Sequence, residues 1–576
     1  MKARKLLPVL MALLMAAAMI AGCNPATQPP ASAGASVTAT AQTGGDATPA
    51  PEEAAPKEND FTKFDPPVTI TTAISLRPNN ELRNGDTPEN NPVTRWQEET
   101  LGIIQKYQWT LTDADNALET RIQLALSSGE ELPDVLSINS DTLLATLIES
   151  GRIMSIDEAF DKYATARVKR SYELNPTVWY YVKKDGKRWG LPSIVDGFVG
   201  DTNMWIRQDW LDGLSLQVPK TLEELEAVLE AFTNGDPDKN GAKDTYGVAI
   251  GANSGNQMPL SDWMGDIQFI FGQDQPYMWL LGDDGKLSYG SIQPKIKRGL
   301  EVLQKWYAKG YIGPDFVTHD ASKAAGEFTS GKAGVFFAPG WCGGWPIGNG
   351  VDQAKSESKV FNPQPYSLPS GLDGETGRTG SPLCYRKYVF RQGFERMDVI
   401  FRLWDIYYGG NEEDPQYPFA KGYGEGYDYK TVDGKITWSL PEGSIELGDY
   451  RLVGPGTTPP HVMEGPNIYQ RVMQGKKDNI YEQKMADTSG ELFIKGYASV
   501  LSQLDRDVPH IFVGLPTPTM ADKFAGLKKL EEETQLKIIV GEKPVDFFDE
   551  FVTQWLEGGG TKITEEVNQW YDQVRK

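Results

Sequence analysis

Cysteine is scarce in this chain, with Cys23, Cys342 and Cys384 the only three in 576 residues. So few exclude a disulfide-dense scaffold. Histidine is as rare: His319, His461 and His510. None stands at a metal-ligand spacing from another or from a cysteine, which argues against a zinc site. Positive charge is short as well, 57 Lys and Arg against 79 Asp and Glu, for a net charge of -22. An acidic surface repels phosphate backbones, so nucleic acid is a poor partner. After the first thirty residues no apolar run approaches membrane length. The motifs of nucleophilic and metal hydrolysis are missing too: there is no Gly-x-Ser-x-Gly elbow, no His-Glu-x-x-His and no Cys–His nucleophile arrangement. A glycoside hydrolase would need two carboxylates about 5 to 9.5 Å apart. Nothing among the acidic residues singles out such a pair.

What is present starts with a basic head, Lys2, Arg4 and Lys5, and an apolar run from Leu6 to Gly22 with Pro8 inside it. The run is too short for a membrane span, which needs roughly 20 residues. Ile20-Ala-Gly-Cys23 closes it. This is the pattern of a secretory signal over 1–22. A cysteine after Ala-Gly resembles the bacterial lipobox, in which the cysteine is acylated and becomes the new N-terminus. One acyl chain holds a protein marginally and two or more anchor it stably. A diacylglycerol (with its palmitate-type chains) on Cys23 would therefore keep the rest of the chain at the outer face of the cell membrane. Residues 24–60 are Ala, Thr, Pro, Gly, Ser and a few acids with no apolar period. Such a stretch cannot bury enough to offset its ordering entropy. With Cys23 it reads as a lipidated, disordered tether, 23–60, spanning about 35 Å. Cys342 and Cys384 then either pair outside the cell or stand as two small buried thiols.

The remaining stretch is too long for one core. Val68–Ile74 alternates and is β-branched, so it reads as a strand. A helix is expected around Pro92–Thr100, a strand over Tyr107–Leu111, a helix over Asp115–Ser128 and a short buried strand over Leu132–Ile138. Strands alternating with helices predict an α/β fold with parallel sheets covered on both faces. Ligands bind at the carboxyl ends of strands in such sheets, which points to the loops Ser75–Asn80 and Asn139–Ser140. Thr221-Leu-Glu-Glu224 is a capping box for a helix whose apolar face is Leu222, Leu225, Val228, Leu229 and Phe232. Val545, Phe548, Phe551, Val552, Trp555 and Leu556 form one apolar face of a later helix, with Gly558–Gly560 at its end.

At Met204 the motifs become specific. Trp205-Ile-Arg-Gln-Asp-Trp-Leu211, Val218-Pro-Lys-Thr-Leu-Glu-Glu-Leu225, Ala231-Phe232 and Asp236-Pro-Asp-Lys-Asn-Gly-Ala-Lys-Asp244 follow one another. Lys184-Asp-Gly-Lys-Arg-Trp-Gly-Leu-Pro192, Ser330-Gly-Lys-Ala-Gly334, Tyr423-Gly-Glu-Gly-Tyr427, Ile538-Ile-Val-Gly541 and Ile563-Thr-Glu-Glu-Val-Asn-Gln-Trp-Tyr571 keep the same order. From about residue 61 onward the chain resembles the family 1 extracellular solute-binding proteins, the lipoproteins of carbohydrate ABC importers. The resemblance implies a two-lobed periplasmic-binding-protein-like fold with interlobe crossovers and a ligand cleft. It also implies a non-enzymatic monomer that takes an oligosaccharide to ABC permease subunits and meets the membrane only through its lipid anchor. The expected partition is 61–195 and 360–425 for lobe 1, and 196–359 and 426–576 for lobe 2. A secreted carbohydrate-active enzyme and a ligand-presenting subunit for a sensor are the alternatives.

Two sets of residues carry the expected chemistry. Asp236, Asp238, Asn240, Gly241, the Ala242 carbonyl and Asp244 reproduce positions 1, 3, 5, 6, 7 and 9 of a calcium loop. They predict a structural Ca2+ at the end of the Thr221 helix. The bidentate acid of position 12 would be Gly247. The family's substitute, an acid directly after position nine, is Thr245 here. Sugars present flat apolar faces ringed by hydroxyls, which aromatic planes and forked polar groups suit. Trp341 and Trp345 around Cys342-Gly-Gly344 fit that need, with glycines letting a ligand approach the backbone. Tyr423, Glu425 and Tyr427 in their glycine-rich loop fit it too, and Trp205 is expected to face the cleft. Gly326–Lys332 matches most of a phosphate-binding loop, but Ala333 stands where Ser or Thr belongs. It reads as a helix end and a turn into a strand Ala333–Ala338.

Overall fold

The structure, a computed structural model, describes residues 55–576 except 77–81, 113–115, 196, 253–259, 261–262, 410–416, 418, 439, 441–442, 446, 455–466 and 576. The signal segment, Cys23 and the tether up to residue 54 lie outside the described residues. The main sheets are built from β1 (Val68–Leu76), β2 (Ile103–Thr112), β3 (Val135–Ile138), β4 (Leu191–Pro192), β5 (Thr202–Arg207), β6 (Tyr246–Ala249), β7 (Ala333–Pro339), β8 (Pro363–Tyr366) and β9 (Lys387–Phe390).

In the first lobe the alternation of β1 becomes an alternation of burial, with Val68, Ile70, Thr72 and Ile74 turned inward. β1 runs parallel to β2, Val68 opposite Ile103. Side chains tie it to β3: the Thr71 hydroxyl donates to Asp134 at 2.8 Å and the Thr72 hydroxyl to the Val135 carbonyl at 2.9 Å. β9 lies between β3 and β4. Ile70, Ile103, Val135, Leu191, Phe390 and Trp404 share the core beneath.

The second lobe is a four-stranded sheet in the order β8-β5-β7-β6. Every residue of β5 and β7 is buried, as strands covered on both faces require. The helix Leu222–Asn234 packs Leu225, Val228, Leu229 and Phe232 into that core, with Thr221 capping it by accepting the Glu224 N–H at 3.2 Å. Phe548, Phe551 and Trp555 are buried on one face of the helix Phe547–Trp555. A π-turn over Leu556–Gly560, with Gly559 at φ 132°, ends that helix and starts the next. Gly326–Lys332 is the end of the helix Ala321–Thr329 and a turn into β7. Cys342 and Cys384 are both free and buried.

Three expectations are corrected. The sheets are mixed, not parallel: β1/β2 and β6/β7 run parallel, whereas β5 pairs antiparallel with β7 and β8, and β9 antiparallel with β3 and β4. β5 and β9 are the first long strands after an interlobe crossover, so they run against strands laid down by βα units. The lobe switch expected at 360 comes later. β8, past residue 360, still pairs with β5 as the edge strand, where the missing N–H groups of Pro363 and Pro365 face no partner. The switch expected at 426 also comes later: Tyr427, Ile445, Leu447 and Tyr450 pack with Ile74 and Val93, and Leu452 and Val453 belong to the first-lobe core.

The crossovers run side by side. The Ser193 N–H donates to the Arg386 carbonyl at 2.8 Å, the Ser193 hydroxyl to the Gly454 carbonyl at 2.6 Å and the Val195 N–H to the Leu383 carbonyl at 3.0 Å. Beside them the guanidinium of Arg378 pairs with Asp201 at 2.9 Å and with Asp507, and donates to the Thr202 carbonyl at 3.2 Å. Ser381 donates its hydroxyl to Asp201 at 2.7 Å.

Candidate functional site

The first lobe holds a cavity of about 280 Å3 at the ends of β1 and β3, lined among others by Thr72, Ser75, Tyr107, Asn139, Arg386 and Arg451. Ser75 and Asn139 lie in the loops that the strand pattern singles out; residues 77–80 of the first loop are outside the described residues. Polar side chains gather here because strand ends leave carbonyls and N–H groups unpaired at the edge of the core. Lys387, at the start of β9, is consumed by the wall itself. It is buried, donates to the Asn139 carbonyl at 2.7 Å and pairs with Asp141 at 2.6 Å.

The second lobe contributes an aromatic platform. β7 ends at Pro339 and leads into the turn Gly340–Gly343. Trp341 stacks on Trp263, centroids 5.5 Å apart and planes 17° apart, and on Trp345 at 6.3 Å and 5°. Trp263 and Trp345 are 6.1 Å apart at 12°. Three indoles thus lie nearly parallel, with Trp263 40% and Trp345 48% exposed. Trp263 is the residue that sequence reasoning missed. Its one signal is a tryptophan in the otherwise polar stretch Ser261-Asp-Trp263. The neighbouring glycines do a different job from the expected one. A Cβ on Gly340 would sit 2.8 Å from the backbone of Gly496, and one on Gly343 would sit 2.3 Å from the Leu492 carbonyl. They let the turn dock against the helix Glu491–Leu501, not a ligand.

The other expected ligand residues are dispersed. Trp205 is fully buried in β5 and donates its indole N–H to the Ala338 carbonyl at 3.1 Å. It fastens the end of β7 from beneath and presents no face to a cleft, which corrects the expectation. Tyr427 is 2% exposed and donates to the Arg83 carbonyl and the Asp86 carboxylate, each at 2.6 Å; it packs the first lobe. Glu425 is solvent-facing and accepts the Thr431 N–H at 2.9 Å. Tyr423 is half-buried and meets the cavity wall, its ring 5.2 Å from the guanidinium of Arg451.

The acidic loop is wound as a cation loop would be. Asp236, Lys239 and Gly241 all adopt left-handed φ, at 48°, 58° and 77°. The Asn240 N–H donates to Asp236 at 3.1 Å, and the Asn240 amide nitrogen donates to Asp238 at 2.8 Å and to Asp244 at 3.2 Å. Three carboxylates therefore gather around Asn240, one at its backbone N–H and two at its side-chain amide, and the Asp238 carboxyl is held above its usual range by burial and by the charges of Asp236 and Asp244. Oxygen donors crowded this way fit a hard cation. Among the described residues no three His, Cys, Asp or Glu side chains close into a complete cage. Position 12 supplies nothing: a Cβ on Gly247 would sit 2.7 Å from Leu229, and the Thr245 hydroxyl is turned to the Phe232 carbonyl at 2.9 Å.

Residues 95–374 match the family described as bacterial extracellular solute-binding protein. The chain is 30% identical over 243 residues to the fructooligosaccharide ABC transporter substrate-binding protein FusA of Streptococcus pneumoniae, covering 40% of this chain and 43% of that protein's length. It is 23% identical over 478 residues to the polygalacturonan/rhamnogalacturonan-binding protein YtcQ of Bacillus subtilis, covering 80% and 84% of the two chains. In fold it matches the FusA EF-hand mutant in complex with fructo-nystose, with a TM-score of 0.59 at 18% identity over 88% of this chain and 99% of that one. Residues 95–374 thus resemble the bacterial extracellular solute-binding proteins, and the chain shares the fold of the FusA structure.

Proposed function

We propose that the chain is a lipid-anchored substrate-binding protein that captures an oligosaccharide between its lobes and delivers it to the permease of an ABC importer. The observation that carries this reading is the platform of Trp263, Trp341 and Trp345. Nearly parallel indoles, two of them open to solvent, match the flat apolar faces of sugar rings, and a monomeric protein seldom exposes large aromatics together without a ligand or partner for them. Trp341, Trp345 and Tyr423 remain in the proposed ligand set and Trp263 joins it. The FusA and YtcQ names point the same way, to poly- and oligosaccharides. Capture would work by population shift: the ligand favours the closed arrangement to the extent that it binds it better than the open one. The proteins of this family bind substrates, and a bound sugar is expected back intact.

Two finer features belong to the same reading. The loop Asp236–Asp244 would hold a structural Ca2+ through Asp236, Asp238, Asn240, the Ala242 carbonyl and Asp244, tying down the end of the helix Leu222–Asn234. The FusA structure described as an EF-hand mutant supports a comparable loop in a relative. Cys23 would carry the lipid. Among the described residues no helix is long and apolar enough to cross a membrane.

The test is a thermal-shift screen of the purified chain against plant, algal and glycan-derived oligosaccharides. Stabilisation by one class, with the sugar recovered unchanged, supports capture for import. Turnover would make the chain an enzyme, and stabilisation only by peptides or other solutes would overturn the carbohydrate reading.

A further inference from the structure

Among the described residues, Arg378, Arg167 and Arg207 have acidic partners, whereas the half-buried Arg451 does not. Arg378 has Asp201 and Asp507, Arg167 has Asp405 at 2.6 Å, and Arg207 has Asp209 at 2.5 Å. Arg451 has none. Its Nε donates to the Gly448 carbonyl at 3.0 Å, and among the described residues its two terminal nitrogens make no hydrogen bond or ion pair. Its guanidinium lies 5.4 Å from the ring of Tyr407 and 5.2 Å from that of Tyr423, and it lines the first-lobe cavity. Ring faces offset part of the cost of holding a guanidinium away from bulk water. They supply no acceptor for four N–H groups aimed along the plane of the fork. A half-buried cation without a counter-ion is an unfavourable arrangement, and here it borders an opening.

A second arginine faces the same opening. Arg386 lines the cavity, is 47% exposed, and forms a long ion pair with Asp449 at 3.7 Å. The acidic groups on the wall are Asp449 and Glu119, the latter on the first turn of the helix Ala117–Ser128. The polar hydroxyl and amide groups of Ser75, Tyr107, Ser137 and Asn139 complete the wall. At about 280 Å3 the cavity suits one sugar ring and not a whole chain.

We propose that this cavity binds a carboxylate-bearing sugar residue of the captured oligosaccharide, a uronate, with the terminal nitrogens of Arg451 forked onto the carboxylate and Arg386 as its second cationic contact. The inference rests on the oligosaccharide reading and narrows it to acidic sugars. Arginine is the side chain whose planar fork matches a carboxylate bidentately. Glu119 would accept from ring hydroxyls at the other side of the same residue.

The test is isothermal titration of the full chain with a matched set: trigalacturonate and trimannuronate, their methyl esters, and neutral trisaccharides of the same linkage. At least one free acid is expected to bind about 10- to 100-fold tighter than its own ester, the range for hydrogen bonds to charged groups. Arg451→Gln should remove most of that preference, and the exposed-site variant Arg386→Gln part of it. The acid–ester comparison on the unmodified chain needs no variant to fold. Equal affinity for acid and ester, or tight binding of neutral trisaccharides alone, overturns the uronate site and leaves the oligosaccharide reading standing. If no saccharide of either kind binds, both fall together.

Discussion

Trp263 and Trp345 hold their indole planes 12° from parallel with ring centroids 6.1 Å apart, although one precedes β7 and the other follows it. Neither is needed to fill the core: both are more than a third exposed. Trp345→Ala and Trp263→Ala are therefore expected to leave the melting temperature within a degree or two. Each should weaken sugar binding by about 3- to 10-fold, the range of an aromatic contact. Trp205→Ala is the opposing control. That side chain is fully buried, and its removal should destabilise by about 3 to 5 kcal/mol. Calorimetry and titration of the three variants check this together, and unchanged affinity in both exposed variants would remove the platform from the binding site.

The loop Asp236–Asp244 should respond to calcium in the melting curve. Chelator is expected to lower the transition of the unmodified chain, and Asp238→Ala to abolish that difference. The missing acid at position 12 cannot be restored by substitution. A Cβ at Gly247 would meet Leu229 at 2.7 Å, against both its side chain and its backbone. Gly247→Glu should thus destabilise by more than 1 kcal/mol and leave calcium affinity no better. A Gly247→Glu variant that binds calcium more tightly at undiminished stability would refute this account of the loop.

Arg378 locks the crossover region by holding Asp201 and Asp507 at once. Asp201 is wholly buried, and burial pushes its carboxyl up against the lowering effect of Arg378. Arg378→Met would leave both acids without their cationic partner, with Asp201 keeping the Ser381 hydrogen bonds. Breaking a buried pair from one side is expected to cost about 3 to 5 kcal/mol, read by denaturant unfolding. A loss below about 1 kcal/mol would mean that the acids find other partners or take up protons without penalty.

Much of this was legible in the sequence for identifiable reasons. β1 declares itself because one of its faces is solvated, so burial and sequence alternate together. β7 declares itself as an apolar run. Trp341 and Trp345 stand out because they follow that strand in a glycine-rich turn. Their partner Trp263 does not, because only the fold brings it to them. Trp205 misleads for the converse reason: its indole N–H is satisfied by backbone carbonyls of a strand far away in sequence, and only the paired sheet reveals that. Arg451 is invisible in sequence altogether, since lacking an acidic partner is a property of the neighbours and not of the residue.

The last expectation concerns pH. Glu531, in the helix Pro518–Ile539, is fully buried and accepts hydrogen bonds from the Tyr289 hydroxyl at 3.0 Å and the Gln535 amide at 3.2 Å. Burial raises its carboxyl from the usual 4.5 to about 7, and the hydrogen bonds and the charge of Lys528 only partly oppose this. The folded chain therefore holds a proton that the unfolded chain releases near pH 4.5. Its stabilising effect is fully present below pH 4.5 and is lost as pH rises through about 7. Glu531→Gln keeps the shape and the hydrogen-bonding groups without the charge. At pH 8 the variant should be more stable than the unmodified chain by on the order of 1 to 3 kcal/mol, with the difference shrinking towards pH 5. Denaturant unfolding at both values decides it. A variant less stable than the unmodified chain at pH 8 would show that the ionised carboxylate is better accommodated by Tyr289 and Gln535 than its burial implies.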